Sequence, residues 1–161
     1  MSLQFDQFDR AISTTLNKVR MFAHPDLPND IGVLELSFSD CTVFVCIDDE
    51  YDTLICSNTM PESHSSYTHA LMTSFWEEVL GKALTNAWQM TNDRGYPDGL
   101  QLRFREMPNA GPYTTLQLYG EASQITLTEL KAIRQARQKA GGSASDPNPA
   151  AHGTGGRHIK S

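Results

Sequence analysis

The sequence predicts an α+β domain, a mainly antiparallel sheet of five to seven strands with two or three helices on one face or end. Three observations carry this expectation. Val33 to Phe38 alternates apolar and polar residues, the period of a half-buried strand. Phe5, Phe8, Ile12, Leu16 and Val19 recur at the spacing of a helix face. Asn92 to Gly99 is dense in turn formers and precedes a second alternating run, Leu100 to Arg105. A chain of 161 residues falls within the usual range of one domain of about 100–200 residues.

In chain order, the first helix is expected over residues 4–15. Ser2 is its N-cap, and Asp6 and Asp9 suit the positive end of the helix dipole. Thr14-Thr15 weakens it, and Leu16 to Phe22 reads equally well as a strand, so 16–23 stays open. His24 to Asp30, with Pro25 and Pro28, reads as a loop. Val33–Phe38 and Cys41–Ile47 then form a hairpin about Ser39-Asp40. A second, acidic turn runs from Asp48 to Asp52, and Thr53–Cys56 completes an antiparallel meander.

Residues 57–68 are a polar loop containing Pro61. Residues 69–80 read as a helix, with Leu71, Phe75, Val79 and Leu80 on one side and Gly81 at its C-terminal stop. Residues 84–91 fit a helix or a strand, and the turn that follows favours the strand of a long-looped hairpin. Tyr113–Gly120 alternates again, with Glu121 to Leu127 as an extension of the same strand. A last helix is expected from Thr126 or Thr128 to about Ala140. The domain would span 1–140, and 141–161, rich in Gly, Ser, Pro and Ala, would be a disordered tail unable to offset its chain entropy by burial.

The charge is uneven. Residues 1–128 carry 7 Lys/Arg against 17 Asp/Glu, a net −10, and residues 129–161 carry 6 against 2, a net +4. The body repels nucleic acid and acidic membranes, and the C-terminal segment attracts them. No run reaches the ~20 apolar residues of a membrane helix. The N-terminal residues lack the basic and apolar regions of a secretory signal, so a cytoplasmic protein is expected. Cys41, Cys46 and Cys56 fit that compartment as buried or half-buried thiols. The separation of Cys41 from Cys46 puts them on opposite faces of a strand, which argues against a shared metal.

Gly81-Lys82, Trp88, Thr91-Asn92, Gly95-Tyr96, Asp98-Gly99 and Leu100-x-Leu102-x-Phe104 resemble a small bacterial family of unknown function, over about residues 33–127. The resemblance implies a bacterial source and a small α+β fold. It implies no activity, cofactor or catalytic residue.

Two turns stand out as partner-binding surfaces. The 92–99 turn presents Arg94, Tyr96 and Asp98, and Tyr and Arg are frequent binding anchors. Its composition is equally explained by turn geometry alone. The second turn gathers Asp48, Asp49, Glu50 and Asp52. Oxygen-binding cations use such residues, but no twelve-position ligand ladder follows, so a solvated turn or a basic partner is the better reading. His64 and His69 give too few ligands for zinc, and His24 looks remote. No nucleophile–histidine pairing or phosphate loop is visible. Trp76 and Trp88 read as core or half-core aromatics, and Thr115, Gln117 and Tyr119 as a polar sheet face.

The expected function is non-enzymatic: an immunity-type or accessory protein that binds a protein partner, such as a basic toxin or effector, through an acidic, turn-rich surface, with no cofactor, metal or membrane. Two alternatives stay open. One is a small enzyme using the loop histidines and the acidic turn. The other is a nucleic-acid-associated regulator using Lys131, Arg134, Arg137 and Lys139 on the last helix, although the helix dipole alone explains those charges.

Overall fold

Nine strands build two antiparallel sheets in the computed structural model, which describes residues 6–48, 50–107 and 111–129. They are β1 (Leu16–His24), β2 (Leu27–Phe38), β3 (Thr42–Asp48), β4 (Thr53–Ser57), β5 (Thr68–Ala70), β6 (Ala83–Met90), β7 (Gly99–Arg105), β8 (Thr114–Glu121) and β9 (Gln124–Glu129). The first sheet has the order β4-β3-β2-β1-β5 and the second β6-β7-β8-β9. Their inner faces share one core, with Val19, Leu34, Leu36, Val45 and Ile47 from the first sheet and Leu84, Leu102, Phe104, Leu116 and Leu118 from the second. The fold is therefore a two-sheet β architecture and not the expected α+β one. Among the described residues, helical structure is confined to single turns at Asp6–Phe8, Glu62–His64 and Ser74–Glu77.

The meander was legible because Val33–Phe38 alternates and Cys41–Ile47 is a β-branched and aromatic run. Leu34, Leu36, Val43 and Val45 point into the core, and the β2–β3 register pairs Ser37 with Thr42 around the short turn. The strand reading of 84–91 also holds, since β6 and β7 pair from Met90–Gly99 to Ala83–Arg105.

The helices did not form where tertiary pairing offered a better use of the backbone. Phe8, Leu16 and Val19 are buried as the helical stripe implied. The chain nevertheless turns at Ser13, whose φ is 67°, and Ser13 and Thr14 bond to Leu84 of the other sheet. From Leu16 onward it is a strand. In 69–80, Leu71 is 94% exposed, so the supposed apolar face is broken. Residues 68–70 pair with β1 instead, and the short turn that follows buries Trp76 and Val79 in the core, with Phe75 and Leu80 half-buried against it. Gly81 does end that turn, with φ at 80°.

Two connections are also corrected. Pro25-Asp26 make a tight hairpin, His24 paired with Leu27, so residues 27–30 already belong to β2. Glu121–Leu127 does not extend β8. The chain reverses at Ala122-Ser123 and returns as β9, and Thr128 lies in that strand. The predicted helix beyond it and the 141–161 tail lie outside the described residues. Among the described residues no helix is long and apolar enough to cross a membrane.

The outer face of the five-stranded sheet carries a second, smaller apolar cluster. Phe22, Val33 and Cys46 are buried there beneath Met60 and Tyr67 of the β4–β5 connection. Gly32 makes the cover possible, since a Cβ there would lie 2.3 Å from the Tyr67 ring. Cys41 packs on the inner core and Cys46 on the outer cluster, the opposite faces that their spacing implies. All three thiols are free.

Candidate functional site

The two turns singled out in the sequence meet at one end of the sheets. The Pro97 carbonyl accepts the Leu54 N–H at 3.1 Å, which joins the 92–99 turn to β4. The Asp98 carbonyl accepts the Gly120 N–H at 2.8 Å, and an Asp52 carboxylate oxygen accepts the Ser123 N–H at 2.8 Å. The β3–β4, β6–β7 and β8–β9 connections are thereby knitted into one surface. Gly120 is required at the join. A Cβ there would lie 2.6 Å from Ile47 and 2.7 Å from the Asp52 carbonyl oxygen.

Each turn is built by its own polar side chains. Asn92 accepts the Arg94 and Tyr96 N–H groups at 2.9 and 3.0 Å, and Gly95 follows at φ 82°. Asp48 accepts the Glu50 N–H at 3.0 Å. These bonds are the local competition for backbone that Asn and Asp provide in turns. They consume much of what the sequence offered as a site. Asn92, Asp48 and Asp52 hold backbone, while Arg94 and Glu50 project into solvent and Asp98 is half-buried. Asp49 lies outside the described residues.

Two aromatic rings are left outside the packing. Tyr51 is 59% exposed and Tyr96 51% exposed. A hydrogen bond with Glu50 raises the Tyr51 phenol above its ordinary value, with slight burial and the Asp48 charge adding to it. The described residues of the three turns include Asp48, Glu50, Asp52, Asp93, Asp98 and Glu121 against one cation, Arg94. The result is an acidic end carrying two exposed tyrosines. Tyr51 was overlooked in the sequence, although it stands in the middle of the acidic run.

The outer face of the four-stranded sheet runs away from this end. Gln101 donates to Gln117 at 2.7 Å, and Arg103 lies 4.6 Å from the Trp88 ring centroid and 5.2 Å from that of Tyr113. Arg105 stacks on Tyr113 at 4.8 Å and donates to its hydroxyl at 3.1 Å. Trp88 is therefore not a core residue. It is 37% exposed and shields the Arg103 guanidinium, whereas Trp76 is fully buried. The alternation of Gln101, Arg103 and Arg105 along β7 was the signal for this stack. Tyr113, from the approach to β8, could not be placed from sequence.

The histidines gather elsewhere. His24 and His64 both pack on Tyr67, with ring centroids 5.5 and 4.7 Å away, and His69 packs on Phe22 at 4.6 Å. His24 is thus not remote from the others. His69 lies on β5 and the acidic turn joins β3 to β4, at opposite edges of the five-stranded sheet. Among the described residues no three His, Cys, Asp or Glu side chains are grouped to hold a metal ion. Lys131, Arg134, Arg137 and Lys139 lie outside the described residues.

Neither a curated protein nor a solved structure matches the chain. Residues 1–134 match the family of unknown function DUF6334, and the chain, covered over most of its length, belongs to that family.

Proposed function

We propose that the chain is a bacterial, cytoplasmic, non-enzymatic protein of immunity or accessory type, whose acidic end seats a basic protein partner. One observation carries this reading. Three turns distant in sequence are hydrogen-bonded into a single surface that leaves Tyr51 and Tyr96 more than half exposed among carboxylates. Large aromatic side chains ringed by like charge combine an anchor with long-range steering, the division of labour found at protein interfaces. The carboxylates of Asp48 and Asp52 brace the turns, which supports a binding role over an acid–base one. Rigid turns also lower the ordering cost of association.

The test is affinity capture from the native host with the full chain as bait. The expected result is one stoichiometric basic partner. Its affinity falls at least about tenfold in the Tyr51→Ala/Tyr96→Ala variant and declines with added salt, while the variant's melting temperature stays at the wild-type value. A partner retained equally by wild type and variant would refute the assignment of the surface.

A further inference from the structure

We propose a second, separate binding site: the free edge of β6 and the groove beside it take an extended segment of a partner protein that carries Lys or Arg at alternate positions. The site stands whether or not the acidic end binds a partner.

β6 is an edge strand of the four-stranded sheet. Its first residues already accept an added segment. Thr15 bridges Ala83, the Ser13 N–H donates to the Leu84 carbonyl at 2.7 Å, and the Leu84 N–H donates to the Thr14 carbonyl at 3.0 Å. Beyond Leu84 no strand of the described residues continues this pairing. Exposed edges are normally blunted by charge, proline or a covering element. Ala83 to Met90 contains no charged residue and no proline. Beside the uncovered part runs a groove of about 420 Å³. Phe8 and Ile12 form one part of its lining, Ala87 and Trp88 another, and Asp6 and Asp9 supply its charge. None of its described lining residues is basic.

These features select the occupant. Strand addition satisfies the edge through main-chain hydrogen bonds and sends alternate side chains to one side. On the groove side those side chains meet a lining that combines apolar carbon with the Asp6 and Asp9 carboxylates. Lys and Arg fit that combination, laying their aliphatic stems along apolar surface and keeping the cationic head near Asp6 and Asp9. A second copy of the chain pairing β6 to β6 would instead bring two Asp6–Asp9 pairs together, and like charges disfavour it. An acidic segment fails for the same reason.

The test uses the full chain and a short capped peptide alternating lysine with threonine, read by amide hydrogen exchange. The peptide slows exchange over residues 85–90 by about tenfold or more. A glutamate-for-lysine peptide does not, and neither does the lysine peptide with alternate backbone nitrogens methylated. The D6N/D9N variant, which keeps side-chain shape, binds the lysine peptide about tenfold more weakly. The Tyr51→Ala/Tyr96→Ala variant binds it as wild type does, which separates this site from the acidic end. The proposal is overturned by equal protection from the glutamate peptide, by unchanged exchange at β6 with the lysine peptide, or by a dimer in sedimentation that protects β6 without peptide.

Discussion

Ser123 donates its backbone N–H to an Asp52 carboxylate oxygen, 2.8 Å away and 71 residues earlier in the chain. This bond ties the β8–β9 turn to the acidic turn and fixes one side of the proposed binding end. Asp52 itself sits at φ 50°, a left-handed conformation that Asn and Asp tolerate better than most residues. Asp52→Ala removes the acceptor and adds backbone strain, and should lower unfolding free energy by about 1–2 kcal/mol. Asp52→Asn keeps both the acceptor and the tolerance, and should stay within about 0.5 kcal/mol of wild type. Urea denaturation of the two variants checks this. Equal losses would show that charge, not the acceptor oxygen, holds the turn.

The β8–β9 turn has positive φ at both central residues, 50° at Ala122 and 61° at Ser123. That is the type I′ pattern, which favours Asn-Gly. Ser123→Gly keeps the N–H that bonds Asp52 and relieves the strain of a side chain at positive φ. It should raise unfolding free energy by about 1 kcal/mol, read as a higher denaturation midpoint with an unchanged slope.

On the outer face of the five-stranded sheet, Arg20 forms an ion pair with Glu35, which is buried. Removing Arg20 strands that carboxylate. Arg20→Ala should cost up to about 3 kcal/mol, discounted because Arg20 is itself partly exposed. Replacing both partners by apolar residues of similar volume, Arg20→Met with Glu35→Leu, should cost less than the single change. Thermal unfolding of both variants decides it, and a double variant less stable than Arg20→Ala would contradict this view of the pair.

Burial pushes the Cys46 thiol up to about 12, and burial with the neighbouring Cys46 raises Cys56 as well. A thiol raised in the folded state stabilises fully below its unfolded value of about 8.5, and that stability is lost as pH rises toward the folded value. Stability should therefore fall between about pH 9 and 12, by at most about 1.4 kcal/mol per pH unit for Cys46. The slope of unfolding free energy against pH should be shallower in Cys46→Ala. Identical slopes would rule the thiol out as the source.

The legible parts of this fold are those where apolar and polar residue types alternate along one strand. Val33 to Phe38 and Leu100 to Arg105 announce themselves in this way, with Leu34, Leu36, Phe38, Leu100, Leu102 and Phe104 all meeting the core. Residues 4–15 misled because Phe8 and Ile12 are spaced as on a helix face, while Ser13 and Thr14 bond to Leu84, a pairing that no local pattern reveals. The β8–β9 hairpin was hidden because Ala122-Ser123 lacks the usual composition of its turn type. At the site, Arg94, Tyr96 and Asp98 were visible from turn chemistry, and their union with Asp48, Glu50 and Asp52 was not. That union depends on hydrogen bonds between turns far apart in sequence, Leu54 to Pro97 and Gly120 to Asp98.

The acidic end as a binding surface is tested most directly by site-specific photocrosslinking in the native host. A photoreactive side chain is placed at Tyr51, at Tyr96 and, as a control, at exposed Lys18 on β1. The same discrete adduct is expected from positions 51 and 96, none from 18, and loss of the adduct when Asp48, Glu50 and Asp98 are replaced by their amides. Different adducts from 51 and 96, equal labelling from all three positions, or adducts untouched by the amide substitutions would contradict it.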